Sequence, residues 1–252
     1  LAKVLAFANQ KGGVAKTTTT LNLGVAFQEL GHRVLAVDMD PQGNLTMSLG
    51  LDPDQVRPSM YDVLVNHVNI EDALVRRELD VVVSSIDLAA AEIALSSLIG
   101  RERALSKALM QVADRYDYML IDTPPSLGLL TINALTAADA VIVPVQCEYL
   151  SLRGLAQLER TLELVRENLN PRVHIAGILP TMYDSRTVHA REAVEVLRNS
   201  FGDLVFETTI RKTIRFAEAP VKGESVLKYA PGSEAANVYR RLAKEVLNGK
   251  KI

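Results

Sequence analysis

The chain has 252 residues and a net charge of −2, with 48% apolar and 23% charged residues, the balance of an ordinary globular protein and one that argues against nucleic-acid binding by bulk charge alone. No apolar run approaches the roughly 18 residues of a membrane span. The single Cys147 excludes an intrachain disulfide and a cysteine-held metal or iron–sulfur centre, and His32, His67, His174 and His189 are scattered with no pair at metal-ligand spacing.

From the N-terminus, the apolar run Val4–Ala8 reads as a strand, and LAKVLAFANQ is too short and too quickly polar to serve as a secretory signal. A helix is predicted from Lys16 to about Leu30, with Gly31 as its stop. Further buried strands are predicted at Val34–Val37, Val81–Val83, Met119–Ile121, Ala140–Val143 and Ile175–Leu179. Between the last two, Ser151 is a good N-cap for a helix carrying Leu152, Leu155, Leu158, Leu162 and Val165 at helical spacing. Ala219 to Gly232, rich in Pro and Gly, is expected to be a surface loop, and a final helix over about Glu234–Leu247 carries Val238, Leu242 and Val246 on one stripe. Alternating strands and helices of this kind predict an α/β fold: three layers, a mostly parallel twisted sheet with helices on both faces. With no repeat and no linker, residues 1–252 are expected to form a single domain in the cytoplasm.

The charge is segregated. From Thr208 to Ile252 there are ten Lys/Arg against four acids, a local net of +6, which leaves −8 for the rest of the chain. A basic C-terminal region on an acidic protein points to a polyanionic partner.

The chemistry concentrates in NQKGGVAKTTTT, between the first strand and the first helix. Glycines let backbone N–H groups approach an anion, and the helix N-terminus adds partial positive charge. Lys16 would reach the β- and γ-phosphates of ATP, and the Thr17 hydroxyl would coordinate Mg²⁺. The ordinary pattern G-x-x-x-x-G-K-[ST] is not met, because Gln10 and Ala15 stand where its glycines belong; what is met is K-G-G-x-x-K-[ST], with an extra lysine at Lys11. The nucleotide-binding stretch is then Lys11, Gly12, Gly13, Val14, Ala15, Lys16, Thr17 and Thr18. Asp38 and Asp40 end the second strand and Asp122 ends another; a carboxylate in that position serves Mg²⁺ or positions the attacking water. Thr17, Asp40 and Asp122 form the predicted metal set.

Four segments, KGGVAKTTTT, VDMDPQGN, LIDTPPS and FAEAPVKGESV, together resemble the ParA/Soj family of partition ATPases, within the MinD-like group of deviant P-loop NTPases. The resemblance spans essentially the whole chain. It implies that Lys11 is the signature lysine reaching across an ATP-bound homodimer, so that Lys11, Lys16 and Asp40 are the catalytic set, with Asp40 orienting water and Asp122 linked to Mg²⁺. Thr123 to Ser126 fall in the γ-phosphate-sensing switch, and the family's adenine contacts match Thr181, Met182, Pro220 and Val221. The resemblance further implies that the ATP dimer binds DNA without sequence preference on the nucleoid, and that a ParB-like protein stimulates slow hydrolysis and release. Arg215 matches the DNA-contacting arginine, with Arg186, Arg211 and Lys212 as neighbours.

Ala15 departs from the family, which has glycine before the P-loop lysine. A backbone with φ > 0 there would make the Cβ costly, and altered turnover is expected. No operator-reading segment precedes the first strand, so sequence-specific DNA binding is not expected. Rival readings are a MinD-like membrane switch, which would need an amphipathic tail beyond the fold; a positioning ATPase for a cargo other than DNA; and a small-molecule kinase or ligase. Stable membrane association is not expected.

Overall fold

The computed structural model describes residues 1–147 and 151–249. The basic residues Lys250 and Lys251, and the side chains of Ser151 and Leu152, lie outside the described residues.

Seven strands form one sheet among the described residues: β1 (Lys3–Phe7), β2 (Val34–Asp38), β3 (Leu74–Arg76), β4 (Asp80–Val82), β5 (Tyr118–Asp122), β6 (Ala140–Gln146) and β7 (His174–Thr181). Their order is β3-β4-β2-β5-β1-β6-β7. Every neighbouring pair is parallel except β3 with β4. The helices are α1 (Lys16–Glu29), α2 (Asn44–Ser48), α3 (Met60–Val65), α4 (Leu88–Leu95), α5 (Ala104–Met110), α6 (Leu129–Ala137), α7 (Ser151–Asn168), α8 (Val188–Phe201), α9 (Arg215–Val221), α10 (Val226–Tyr229) and α11 (Glu234–Asn248).

The three layers follow from strand alternation, since successive side chains leave a strand on opposite faces. Leu5, Phe7, Val34, Ala36, Leu120, Ala140 and Ile142 pack with α1, α2, α10 and α11. Ala6, Leu35, Val37, Met119, Ile121, Val141 and Val143 pack with α3 to α7. Both faces are covered, so these strands read as unbroken apolar runs. Leu155, Leu158, Leu162 and Val165 of α7 are buried as their spacing predicts, as are Val238, Leu242 and Val246 of α11. The α11 stripe thus packs on the protein's own sheet, each side chain contributing roughly 1.5–3 kcal/mol of burial.

Two expectations need correction. The antiparallel strand β3 was not predicted, because three residues with Val75 as the sole β-branched one give no readable period. Residues 219–232 are not a surface loop: Pro220 lies inside α9, and α10 buries Val226 and Leu227. The Pro and Gly of that stretch punctuate two short helices.

What positions the site is strand order together with register. β5 lies between β1 and β2, so the chain reverses direction across the sheet there, and the crevice beyond the strand C-termini opens at that point. The register sets Phe7 of β1 opposite Asp122 of β5, and Asp122 opposite Asp38 of β2. Two acids more than 80 residues apart in sequence are therefore neighbours beside the loop that follows β1.

Candidate nucleotide site

The loop after β1 is braced from three strands. Asn9 receives the Lys11 N–H on its Oδ1 (3.0 Å) and donates through Nδ2 to the Pro144 carbonyl of β6 (2.7 Å). The Thr181 hydroxyl, at the end of β7, donates to the Val14 carbonyl (3.0 Å). Thr123, following β5, donates to the Phe7 carbonyl (2.7 Å). The loop itself turns through two left-handed residues, Gly13 at φ 71° and Ala15 at φ 68°. Ala15 caps α1 with ψ 31° and contributes no side-chain hydrogen bond. The methyl group expected to be costly does sit on a left-handed backbone, which disfavours L-residues by about 1–2 kcal/mol.

Lys16, the first residue of α1, is buried, with Nζ 3.4 Å from the Lys11 carbonyl. The Thr17 hydroxyl donates to Asp122 Oδ2 at 2.6 Å. Asp122 is fully buried, and its Oδ1 is the one buried side-chain polar atom without a partner among the described residues. An orphaned carboxylate oxygen costs about 1–3 kcal/mol or more, so its presence marks a group that acts on something else.

Asp38 is also fully buried, but satisfied: it receives the Thr46 N–H (2.9 Å) and hydroxyl (2.7 Å) and the Asp40 N–H (3.2 Å). It therefore pins α2 and the turn that carries Asp40. Asp40, nearly buried, accepts the Gln42 N–H at 3.0 Å on Oδ1, while Ser84 donates to its carbonyl at 2.6 Å. Burial raises the affinity of all three carboxylates for a proton. Asp38 is pushed up to about 7, Asp40 upward, and Asp122 well above the usual carboxylate range, with neighbouring Asp38 adding to the last. Burial likewise lowers Lys16, against the pull of Asp122 and Asp40. Lys16 faces Asp122 and Asp40, with Asp38 beside them, and a further cation would favour the charged form of these crowded carboxylates.

That setting suits Mg²⁺. Among the described residues no group of three or more His, Cys, Asp or Glu side chains is arranged to hold a metal. Mg²⁺ characteristically takes only one or two protein ligands and completes its shell with phosphate oxygens and water. Thr17 and the Asp122 oxygen left without a partner among the described residues would supply that minimum.

Comparison with known proteins agrees. A family profile described as an AAA domain matches residues 2–175. The sporulation initiation inhibitor protein Soj of Bacillus subtilis is 48% identical over 249 residues, covering 98% of each chain. The chromosome partitioning protein ParA of Caulobacter vibrioides is 46% identical, covering 98% of this chain and 94% of that one. The chain belongs to the ParA/Soj family of P-loop ATPases. Among solved structures, the Mycobacterium smegmatis protein titled cobyrinic acid a,c-diamide synthase, with bound ADP and magnesium, is 44% identical with TM-score 0.88, covering 100% of this chain and 98% of that one. The cell division ATPase MinD of Pyrococcus furiosus is 26% identical with TM-score 0.81, over 98% and 99%. ATP and Mg²⁺ are accordingly the cofactors of this ParA/Soj chain.

The remaining residues carried over from the ParA/Soj resemblance fall in different places. Lys11, Gly12 and Gly13 are exposed on the loop. Thr181 also braces the loop, its side chain wholly buried with its hydroxyl on the Val14 carbonyl. Met182 follows at φ 52° and is half-buried; Pro220 and the exposed Val221 end α9, which packs on α2 and α10. Arg211, Lys212 and Arg215 converge on a pocket of about 520 Å³ that Arg241 of α11 also lines. Arg186 is held differently. It forms a two-pronged bond with Asp184 (2.9 and 2.8 Å), and its guanidinium holds that carboxyl down at about 2.

The basic excess of the C-terminal region is also partly neutralised by local pairs: Arg240 with Glu29, Arg241 with Glu234 and Lys228 with Glu224. Arg211, Lys212 and Arg215 make no ion pair among the described residues. Sequence reasoning missed Asn9, Thr46 and Ser84, which hold the loop and its acids, and it singled out Thr123 for the γ-phosphate switch without seeing its bond to the Phe7 carbonyl. The only available signal was their place just after a strand or within the first turn of a helix.

Proposed function

We propose that this chain is a DNA-partition ATPase that dimerises on ATP, binds DNA without sequence preference, and is released by partner-stimulated hydrolysis. The observation that carries the reading is the pairing of two features on one chain. A buried phosphate site with the extra Lys11 stands at one end of α1, and Arg211, Lys212 and Arg215, without ion pairs among the described residues, line one pocket together with the paired Arg241 and Glu234.

In this reading Lys16 binds the β- and γ-phosphates, and Thr17 with Asp122 holds Mg²⁺, which supplies charge neutralisation on the phosphates when bound. Asp40 holds the attacking water: its Oδ1 is engaged by Gln42, and its Oδ2 has no donor among the described residues. Lys11, exposed at the loop entrance, reaches the phosphates of a second copy, so γ-phosphate is read out as association state. Met182, Pro220 and Val221 are proposed near the base. Residues 1–252 act as one unit, in the cytoplasm and on the nucleoid, with a ParB-like activator.

Sizing the protein with ATP and with ADP, with and without nonspecific duplex, tests the cycle. ATP-dependent dimers that alone bind DNA are expected; a monomer under all four conditions would overturn the reading. The solved relative titled cobyrinic acid a,c-diamide synthase favours one alternative, an ATP-dependent amidation. Acceleration of ATP turnover by cobyrinic acid and an amide donor, with none by DNA and a ParB-like protein, would establish it instead. Among the described residues no helix is long and apolar enough to cross a membrane. The apolar stripe of α11 is spent on the sheet, with Val238, Leu242 and Val246 buried there, so α11 itself does not offer the amphipathic face that a membrane switch requires.

A further inference from the structure

Tyr239 is a fully buried tyrosine in the middle of α11. Among the described residues its hydroxyl meets one partner, the Thr19 hydroxyl, at 3.3 Å. Thr19 is fully buried on α1, one turn beyond Lys16. The other side of the ring meets Phe216 of α9 edge-on, with centroids 5.7 Å apart and planes at 79°. Phe216 follows Arg215 and lines the same pocket as Arg211 and Lys212. One side chain thus touches both the helix that begins at the phosphate site and the helix that carries Arg215 of the basic pocket.

The two joints differ in tightness. A well-formed hydroxyl–hydroxyl bond spans about 2.5–3.0 Å, so at 3.3 Å the Thr19–Tyr239 pair lies at the edge of bonding. A shift of a few tenths of an ångström in α1 makes or breaks it, and a buried hydroxyl left without a partner is costly. By contrast Asn22, three residues further along α1, is clamped. Its Oδ1 receives the Val226 N–H of α10 at 2.7 Å while its Nδ2 donates to the Thr18 carbonyl at 2.7 Å. α1 is therefore fixed to the C-terminal helices at Asn22 and loosely joined at Thr19, on the side nearer the phosphates.

The far end of α9 is touched from the same direction. Gly223, at φ 68°, lies so close to Gly50 that a Cβ on it would come within 2.7 Å of the Gly50 Cα. Gly50 follows α2, the helix that Asp38 pins through Thr46 beside the Asp40 turn. α9 is held at one end by a contact leading to the P-loop helix and at the other by a contact leading to the Asp40 segment.

We infer that Tyr239 is a positioning residue: its bond to Thr19 passes the nucleotide state of α1 to Phe216, and so sets the placement of α9 and of the Arg215 it carries. The consequence for DNA rests on the function proposed above; the movement of α9 does not.

The test is hydrogen exchange of amides 215–223, with ATP–Mg²⁺ and with ADP–Mg²⁺, in the parent chain and in Tyr239→Phe, which keeps the ring and removes only the hydroxyl. ATP is expected to slow exchange there by about fivefold in the parent. In Tyr239→Phe the difference falls below about twofold, with nucleotide affinity held within about twofold. Thr19→Val reproduces the loss, Thr19→Ser preserves the response, and the double variant adds nothing further, a coupling that a merely structural role would not show. A parent whose α9 exchange ignores the nucleotide, or a Tyr239→Phe chain that keeps the full response, overturns the inference. Binding to nonspecific duplex is measured on the same samples. A responsive α9 in a protein that never binds DNA would refute the partition reading and leave the relay standing. ATP-dependent DNA binding untouched in Tyr239→Phe, with exchange untouched as well, would do the reverse.

Discussion

The phosphate end and the basic face of this protein handle charge in opposite ways. At the phosphate end Lys16, Asp38, Asp40 and Asp122 are all buried, and each shifts the proton affinity of another. On the basic face Arg211, Lys212 and Arg215 are exposed around an open pocket, with no ion-pair partner among the described residues. Buried charges fix one another's positions and are expensive to orphan, whereas exposed charges act by their summed field and are screened by salt. The first arrangement suits recognition of one small anion in one pose; the second suits a long polyanion in many registers.

The sharpest way to break the comparison is at Lys16. Lys16→Ala removes the cation that faces buried Asp122 and Asp40, and nucleotide affinity is expected to fall about 10³-fold by titration with a fluorescent ATP analogue. An affinity within tenfold of the parent would mean the buried cluster does not bind phosphate. Asp40→Ala is expected to lower ATP turnover about 10²-fold while keeping ATP bound and accumulating the dimer on a sizing column. Loss of nucleotide binding would instead place Asp40 in Mg²⁺ coordination or folding.

Effects on the exposed face are smaller and depend on salt. Arg215→Glu is expected to weaken binding to nonspecific duplex about tenfold near physiological salt and to flatten the log–log salt slope by about one, with ATP affinity unchanged. If ATP-dependent DNA binding is the same in both proteins, the face has been misassigned. The smallest change is Ala15→Gly, which relieves the left-handed Cβ at the helix cap. Stabilisation of about 1 kcal/mol is expected, roughly 2–4 °C in melting temperature, together with an altered hydrolysis rate. A melting temperature and turnover both identical to the parent would show that the loop tolerates alanine at no cost.

Much of the site is legible in the sequence because phosphate chemistry constrains residues that are neighbours along the chain. Lys11, Gly13, Lys16 and Thr17 lie within seven consecutive residues, in one turn between a strand and a helix. The ends of β2 and β5 are legible for a similar reason: an apolar run that stops at an aspartate marks both the strand and the acid at its C-terminus. Where reading failed, the cause was distance. The bracing bond from the Thr181 hydroxyl to Val14, 167 residues away, leaves no trace in the local sequence. The Pro- and Gly-rich stretch after Ala219 has loop composition, but burial of Val226 and Leu227 and the Val226 bond to Asn22 impose helix. Local propensity is a weak prior, and tertiary contacts override it in segments this short.

What the sequence determined by itself was the phosphate loop, the alternation that makes a parallel sheet, and the apolar stripes of α7 and α11. Each depends on residues within a few positions of one another. The tertiary structure decided which acids meet: β5 inserted between β1 and β2 sets Asp38 beside Asp122, leaves one Asp122 oxygen without a partner, and brings Tyr239 from the far end of the chain against Thr19. Strand order and register are global choices, settled by how both faces of the sheet are buried together, and a local pattern does not contain them.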